Sequence, residues 1–184
     1  WAGPPSYAAL ARAALIDRTV NPRQMRRARA SPLSPRPRPS WLMADSEFSA
    51  GGVVVNADRE VIVIVPTRRA ADGSRVLALP KGHPDGAETA AEAALREVRE
   101  EAGVEAEVVT SLGEVRYWYQ RNGRRIAKVV EFFLLRYVSG TVDDHDHEVE
   151  DARWVPAAEA ARTLTYAGER DMVREALSRL ERGL

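Results

Sequence analysis

The chain has 184 residues, no cysteine, and 27 basic against 27 acidic residues, so it carries no formal net charge. That length gives one domain a proper core and is short for two, while the missing cysteines exclude disulfides, thiol catalysis and thiolate metal sites. No apolar run approaches the roughly 18 residues of a membrane span, and with no secretory features the expectation is a soluble, cytoplasmic protein.

The charge balance hides an asymmetry. Residues 1–44 carry eight arginines against Asp17 alone, which leaves the remainder acidic. Pro32, Pro35, Pro37 and Pro39 follow one another closely, a spacing that defeats helix and ladder alike and favours an extended chain. Tyr7 to Ile16 is alanine-rich enough for a short helix. The expected organisation is therefore an Arg/Pro-rich, disordered segment over 1–44 followed by a folded domain over 45–184. Met43 is a candidate initiator, which would make residues 1–42 dispensable. A basic tail of this kind also suits nucleic acid or acidic surfaces and resembles a transit peptide.

From Glu47 the pattern is strand, turn, strand. Phe48 to Val55 and Val61 to Val65 are apolar and β-branched, with turn residues Asn56-Ala57-Asp58-Arg59 between them. A polar loop and a short strand at Arg75 to Leu79 lead into Pro80-Lys81-Gly82. Next comes a helix, expected from about Glu88 to Ala102, rich in Ala, Glu, Leu and Arg and closed by Gly103. Further strands are expected at Glu105 to Leu112, Glu114 to Gln120 and Arg125 to Tyr137, the last two joined through Asn122-Gly123, a strong hairpin signal. An acidic loop, a strand at Asp151 to Val155, a helix opened by Pro156 at its first position and a final helix from Glu169 to Arg182 complete the chain. Strands flanked by helices point to an α/β class with a mixed β-sheet.

The helix after Gly82 carries the chemistry. At about 100° per residue, Glu97, Glu100 and Glu101 fall within one arc of roughly 100°. Unneutralised carboxylates at that spacing repel, so the face suits a cation. Oxygen ligands select a hard ion, Mg²⁺ or Mn²⁺. Alone, such a face describes a solvated surface laced by i,i+4 pairs, Glu92 with Arg96 and Arg96 with Glu100. Ala91, Leu95, Val98 and Ala102 form the expected core face, and Ala90, Ala93 and Ala94 leave room for the preceding loop.

Residues 82–104 read as a Gly, five residues, Glu88, seven residues, Arg96-Glu97, an apolar position, a free position, Glu100-Glu101, a free position, Gly103 and apolar Val104. Seven fixed residues coincide by chance about once in a hundred million windows. The chain thus resembles the Nudix hydrolases, which cleave diphosphate linkages in nucleotide derivatives with a divalent metal. The resemblance implies an α/β/α sandwich and metal ligation by Glu97, Glu100, Glu101, a loop glutamate and the backbone carbonyl of Lys81. Glu148 is the first choice for the loop ligand and Glu150 its competitor. Arg96 would orient the carboxylates, Glu88 would tie the loop to the helix, and Glu97 or Glu148 would act as general base.

Residues outside the box resemble the diadenosine tetraphosphate (asymmetrical) hydrolases: Phe48-Ser49-Ala50-Gly51-Gly52, Leu79-Pro80-Lys81-Gly82-His83, Tyr117-Trp118-Tyr119, Lys128, His147-Glu148 before Arg153-Trp154, and Leu164-Thr165-Tyr166. The likeness covers about Glu47 to Leu180. Lys81 and Lys128 are the only lysines among 27 basic residues, which suggests a need for a compact ammonium. With His83 they would meet phosphate charge, Gly82 would let the backbone approach it, and Tyr119 and Tyr166 would stack on adenines. Alternation puts Tyr117 beside Tyr119, with Trp118 facing the other way. His145 and His147 suit no closed zinc set.

Three functions follow: asymmetric diadenosine tetraphosphate hydrolysis to ATP and AMP; the same chemistry on nucleoside triphosphates (MutT-like), nucleotide sugars or capped RNA; or a non-catalytic nucleotide-sensing or nucleic-acid-binding module. The complete box argues against the last. The expected partner is a small-molecule nucleotide, not a membrane or nucleic acid.

Overall fold

A computed structural model describes residues 46–70 and 72–183. The expectations for Tyr7 to Ile16, the proline-rich run and Met43 lie outside the described residues.

Six strands form one sheet: β1 (Ser46–Val55), β2 (Glu60–Pro66), β3 (Lys81–Gly82), β4 (Val104–Arg121), β5 (Arg124–Gly140) and β6 (Val149–Pro156). Their order is β4-β5-β1-β2-β6, with β3 paired to β1. β1 and β5 run parallel and the other pairs antiparallel, so the sheet is mixed. The helices are α1 (Ala90–Ala102), α2 (Ala157–Thr163) and α3 (Ala167–Glu181). α1 packs on one sheet face through Ala94, Val98 and Ala102 against Val54, Ile62 and Leu135. On the other face, Ala160, Val173 and Ala176 of α2 and α3 meet Val53, Val61, Phe132 and Leu134. Each face of the β-branched central strands is therefore buried, giving the expected α/β/α sandwich.

Several boundaries differ from the sequence reading. Glu105 to Leu112 and Glu114 to Gln120 are one strand, because irregular registers and a positive φ of 109° at Gly113 let β4 bend without ending. Arg75 to Leu79 is not a strand; only Ala78 bridges to Ile64. α1 starts after Thr89, whose hydroxyl and Glu92 form a reciprocal capping box. Glu92 is thereby turned away from Arg96. Pro156 is the cap of α2 and not its first residue. Ala93 and Ala94 are fully buried core residues, while Ala91 and Leu95 only pack against that core. The helix is thus rolled so that its glutamate face borders the sheet.

The Asn122-Gly123 hairpin forms as expected, with φ of 51° and 74° closing Arg121 onto Arg124. Gly103 ends α1 at φ 66°, and a Cβ there would lie 2.3 Å from the Thr141 carbonyl. Gly103→Ala should therefore lower unfolding free energy by about 2 to 4 kcal/mol, combining left-handed strain with a backbone clash. Chemical denaturation checks this, and a loss below about 1 kcal/mol would contradict the tight cap.

Candidate active site

The loop before α1 is held to the helix at three points. The Lys81 amide donates to Glu101 Oε2 at 2.7 Å. Gly82 lies against the Glu97 carboxylate, where an added Cβ would sit 2.0 Å from Oε1. A larger residue there would displace the Glu97 carboxylate. Glu88 accepts from the Asp85 amide at 2.8 Å and from Arg96 Nε at 2.9 Å, so it ties loop to helix as expected.

Arg96 is the hub of the helix face. Its fork reaches Glu88, Glu97 Oε1 at 2.9 Å, Glu100 Oε2 at 2.8 Å and the His83 carbonyl at 2.7 Å. The Glu88 bond, and then those to Glu97 and Glu100, raise its pKa above the ordinary value. A planar guanidinium serves several acceptors at fixed angles, so the three carboxylates are oriented before any ligand arrives.

The carboxylates carry unrelieved charge. Burial pushes Glu101 up to about 7, against the pull of the Lys81 charge and amide, and Glu97 and Asp146 add to the rise. Burial also raises Glu97, Arg96 opposes it, and Glu100 and Glu148 add their negative charge. Clustered carboxylates displaced upward favour a cation among them. Among the described residues no group of three or more His, Asp or Glu stands in position to hold a metal ion by side chains alone. A hard divalent ion that keeps several waters fits such an open, all-oxygen arrangement. Glu148 is the loop carboxylate whose charge reaches Glu97, whereas Glu150 is paired to Arg69 at 2.7 Å. His145 turns Nδ1 toward the Asp146 carbonyl, and no zinc set forms with His147.

Two carboxylates missed in the sequence organise the remaining candidates. Glu47 accepts from the Tyr119 hydroxyl at 2.7 Å, pairs with Arg121 at 2.6 Å and Lys128 at 3.4 Å, and lies 3.5 Å from His83 Nε2. Lys128 Nζ is 3.0 Å from the same His83 nitrogen. Lys128 and His83 are thus brought together, with Tyr119 tethered beside them. Burial lowers the Lys128 pKa and Glu47 partly restores it. Glu169 is 3% exposed and binds Lys81 Nζ at 3.0 Å. The ammonium expected to meet phosphate is held inside the fold, and the main chain of Lys81 faces the glutamates. Burial works against that ammonium, yet Glu169 and Glu101 raise its pKa overall. Tyr117 and Tyr166 are 42% and 43% exposed, and each lies within electrostatic range of the other. Tyr117 packs beside Tyr119 at 6.4 Å between rings. Trp118 instead lies under Arg125, 4.6 Å away. The alternation expected for the three aromatics is present. Glu47 could have been found only by knowing the parallel register that sets it opposite Lys128. Glu169, polar in the first turn of an amphipathic helix, gave no such signal.

The NUDIX domain model matches residues 46–176. The chain is 37% identical over 159 residues to a putative mutator protein MutT4 of Mycobacterium tuberculosis, covering 84% of this chain and 63% of that protein. It is 32% identical over 99 residues to the asymmetrical bis(5'-nucleosyl)-tetraphosphatase of Mus musculus, 53% of this chain and 67% of that one. A NUDIX hydrolase structure from Nitrosomonas europaea superposes with a TM-score of 0.61 at 19% identity, over 73% of this chain and 90% of that one. A C. elegans Ap4A hydrolase complex gives 0.55 at 20%, over 75% and 99%. These two structures share the fold. The chain belongs to the Nudix family, and it spans less than two thirds of the length of its mycobacterial relative. Among the described residues no helix is long and apolar enough to cross a membrane.

Glu47 yields a pH prediction. The Tyr119 hydrogen bond, then Lys128 and Arg121, hold its carboxyl down at about 2 from 4.5, against an opposing effect of burial. A depressed folded pKa stabilises fully above the unfolded value and is lost as pH falls through the folded one. Glu47→Gln should lower stability by roughly 1 to 3 kcal/mol at neutral pH. The difference from wild type should shrink from about pH 4.5 toward pH 2 in denaturation titrations. A pH-independent difference would sink the assignment.

Proposed function

We propose that the protein is a Mg²⁺-dependent hydrolase of phosphoanhydride bonds in nucleoside polyphosphates, with diadenosine tetraphosphate, split to ATP and AMP, as the leading substrate. The reading rests chiefly on the buried Glu97 and Glu101 carboxylates, oriented by Arg96 and by the Lys81 amide and raised in pKa by burial, with neighbouring carboxylates adding a smaller share. Glu97, Glu100, Glu101, Glu148 and the Lys81 carbonyl would hold the ion. When bound, Mg²⁺ or Mn²⁺ would supply neutralisation of phosphate charge and a lowered pKa for a coordinated water.

The chain's own groups do the rest. Glu97 accepts the proton of the attacking water, with Glu148 the second candidate. As the water oxygen bonds to phosphorus, the bridging P–O bond breaks and the departing phosphate takes its electron pair. Lys128 and His83 neutralise phosphate oxygens from the cleft side. Gly82 admits the phosphate chain close to the backbone, and Arg96 keeps the glutamates aimed. Tyr166 and Tyr119 offer ring faces to adenine, and Tyr117 is the more exposed neighbour of Tyr119. Residues 45–184 form the catalytic unit in this reading.

The diadenosine substrate is supported by the sequence motifs around Lys81, Tyr117-Trp118-Tyr119 and Tyr166 and by the similarity to the mouse asymmetrical bis(5'-nucleosyl)-tetraphosphatase. A second reading, nucleoside triphosphate sanitation, is supported by the mycobacterial relative called a putative mutator protein. Incubation with Mg²⁺ and a panel of diadenosine tetraphosphate, ordinary and oxidised triphosphates, nucleotide sugars and capped RNA separates them. ATP plus AMP from the first is the expected outcome. Turnover of a triphosphate alone supports the second reading, and no turnover of any member refutes both. Glu101→Gln should reduce kcat by about two orders of magnitude or more with the circular dichroism spectrum unchanged. Near-normal kcat in that variant would overturn the metal site.

A further inference from the structure

Residues 77–80 approach the active site with few sheet contacts, the Ala78 bridge to Ile64 and the Gly52 amide on the Pro80 carbonyl, before Lys81 joins β1 through β3. A second hold on this segment comes from the turn between α2 and α3. The Thr165 amide donates to the Leu77 carbonyl at 2.9 Å, and the Leu77 amide donates back to the Thr165 hydroxyl at 2.8 Å. Glu169, one turn further on, accepts from the Leu79 amide at 2.9 Å with one carboxylate oxygen and from Lys81 Nζ at 3.0 Å with the other. Arg170 clasps the carbonyls of Leu164 and Thr165 and holds the turn itself in shape. Alternate residues 77, 79 and 81 are therefore stitched to one edge of α3, and Lys81 also binds the Leu79 carbonyl through Nζ at 3.2 Å.

The Pro80–Lys81 peptide lies between the two groups that Glu169 holds, the Leu79 amide and the Lys81 ammonium; its carbonyl accepts from the Gly52 amide at 3.1 Å and its amide donates to Glu101. We propose that Glu169 is a positioning residue for the active site: by gripping Leu79 and the Lys81 ammonium, it sets the peptide that orients Glu101. The inference rests on the hydrolase reading for its consequence in turnover, but its structural core stands apart from that reading. It also accounts for lysine at position 81 in an arginine-rich chain. A compact ammonium reaches the inner oxygen of a buried carboxylate, whereas a planar guanidinium demands a wider fork.

The test compares Glu169→Gln with Val173→Ala, a core truncation one turn further along α3 that removes none of the hydrogen bonds or charge held on Leu79 and Lys81. In the metal-free protein, amide hydrogen exchange at Lys81 should quicken by about tenfold or more in Glu169→Gln and stay near wild type in Val173→Ala at a matched loss of melting temperature. Kinetically, Glu169→Gln should lower kcat by about 10- to 100-fold with KM little changed, as a misaligned catalytic carboxylate would. Equal exchange at Lys81 in the two variants overturns the proposal, since Glu169 would then act through general stability. If the single variant does not fold, Glu169→Gln combined with Lys81→Met removes both buried charges and carries the same exchange measurement at position 81. A wild type that hydrolyses nothing refutes the functional reading, while the exchange data still decide the role of Glu169.

Discussion

The bond from the Lys81 amide to Glu101 is the joint on which the site depends. It fixes the end of the incoming loop against the helix at the point where Gly82 already lies against Glu97. Everything else secures that joint from a different side. Arg96 secures the helix face, Glu88 the loop, and Glu169 the segment that leads into it. A loop without these ties would sample many backbone states, and each ordered residue costs about 1 to 2 kcal/mol of conformational entropy. The ties are nearly all ionic or charge-assisted, the class of hydrogen bond with fixed geometry as well as strength.

Charge in this domain is sorted by depth. Exposed arginines and glutamates pair locally along surface strands and helices, as Arg116 does with Glu114 and Arg174 with Asp171; such pairs contribute little. The buried groups are different. Lys81 with Glu169 and Lys128 with Glu47 each set a lysine against a carboxylate, while Glu97 and Glu101 are raised in pKa by burial in spite of Arg96 and Lys81 beside them. Removing both partners of a buried pair is often tolerated, but removing one strands a charge, so these pairs constrain the site more than they stabilise the domain.

Much of this was legible in the sequence, and the reason is local. The Gly82 to Val104 run encodes a helix, its glycine stop and a carboxylate face within one continuous stretch, although the true start, at the Thr89 cap, lies beyond the expected Glu88. Asn122-Gly123 likewise dictates its turn from two residues. What escaped reading depends on partners far along the chain. The break expected near Gly113 disappeared because a bend can be absorbed by an edge strand still paired to β5. The roll of α1 that buries Ala93 and Ala94 is set by the sheet beneath and cannot be inferred from small residues alone. Glu47 and Glu169 are ordinary acidic letters until the parallel β1–β5 pairing and the docking of α3 give them lysines.

The distance in sequence between Leu79 and Glu169 is 90 residues. Closing a loop of that length is entropically costly and late relative to helix formation. On a ribosome, α1 with all its glutamates is made long before the residue that fixes its loop emerges. If Glu169 acts as proposed, the nascent chain carries every glutamate of α1 before the residue that grips Leu79 and Lys81 exists, and full competence arrives with the last helix. A chain cut short before α3 would keep the motif by which the family is recognised and lack the geometry that the motif needs.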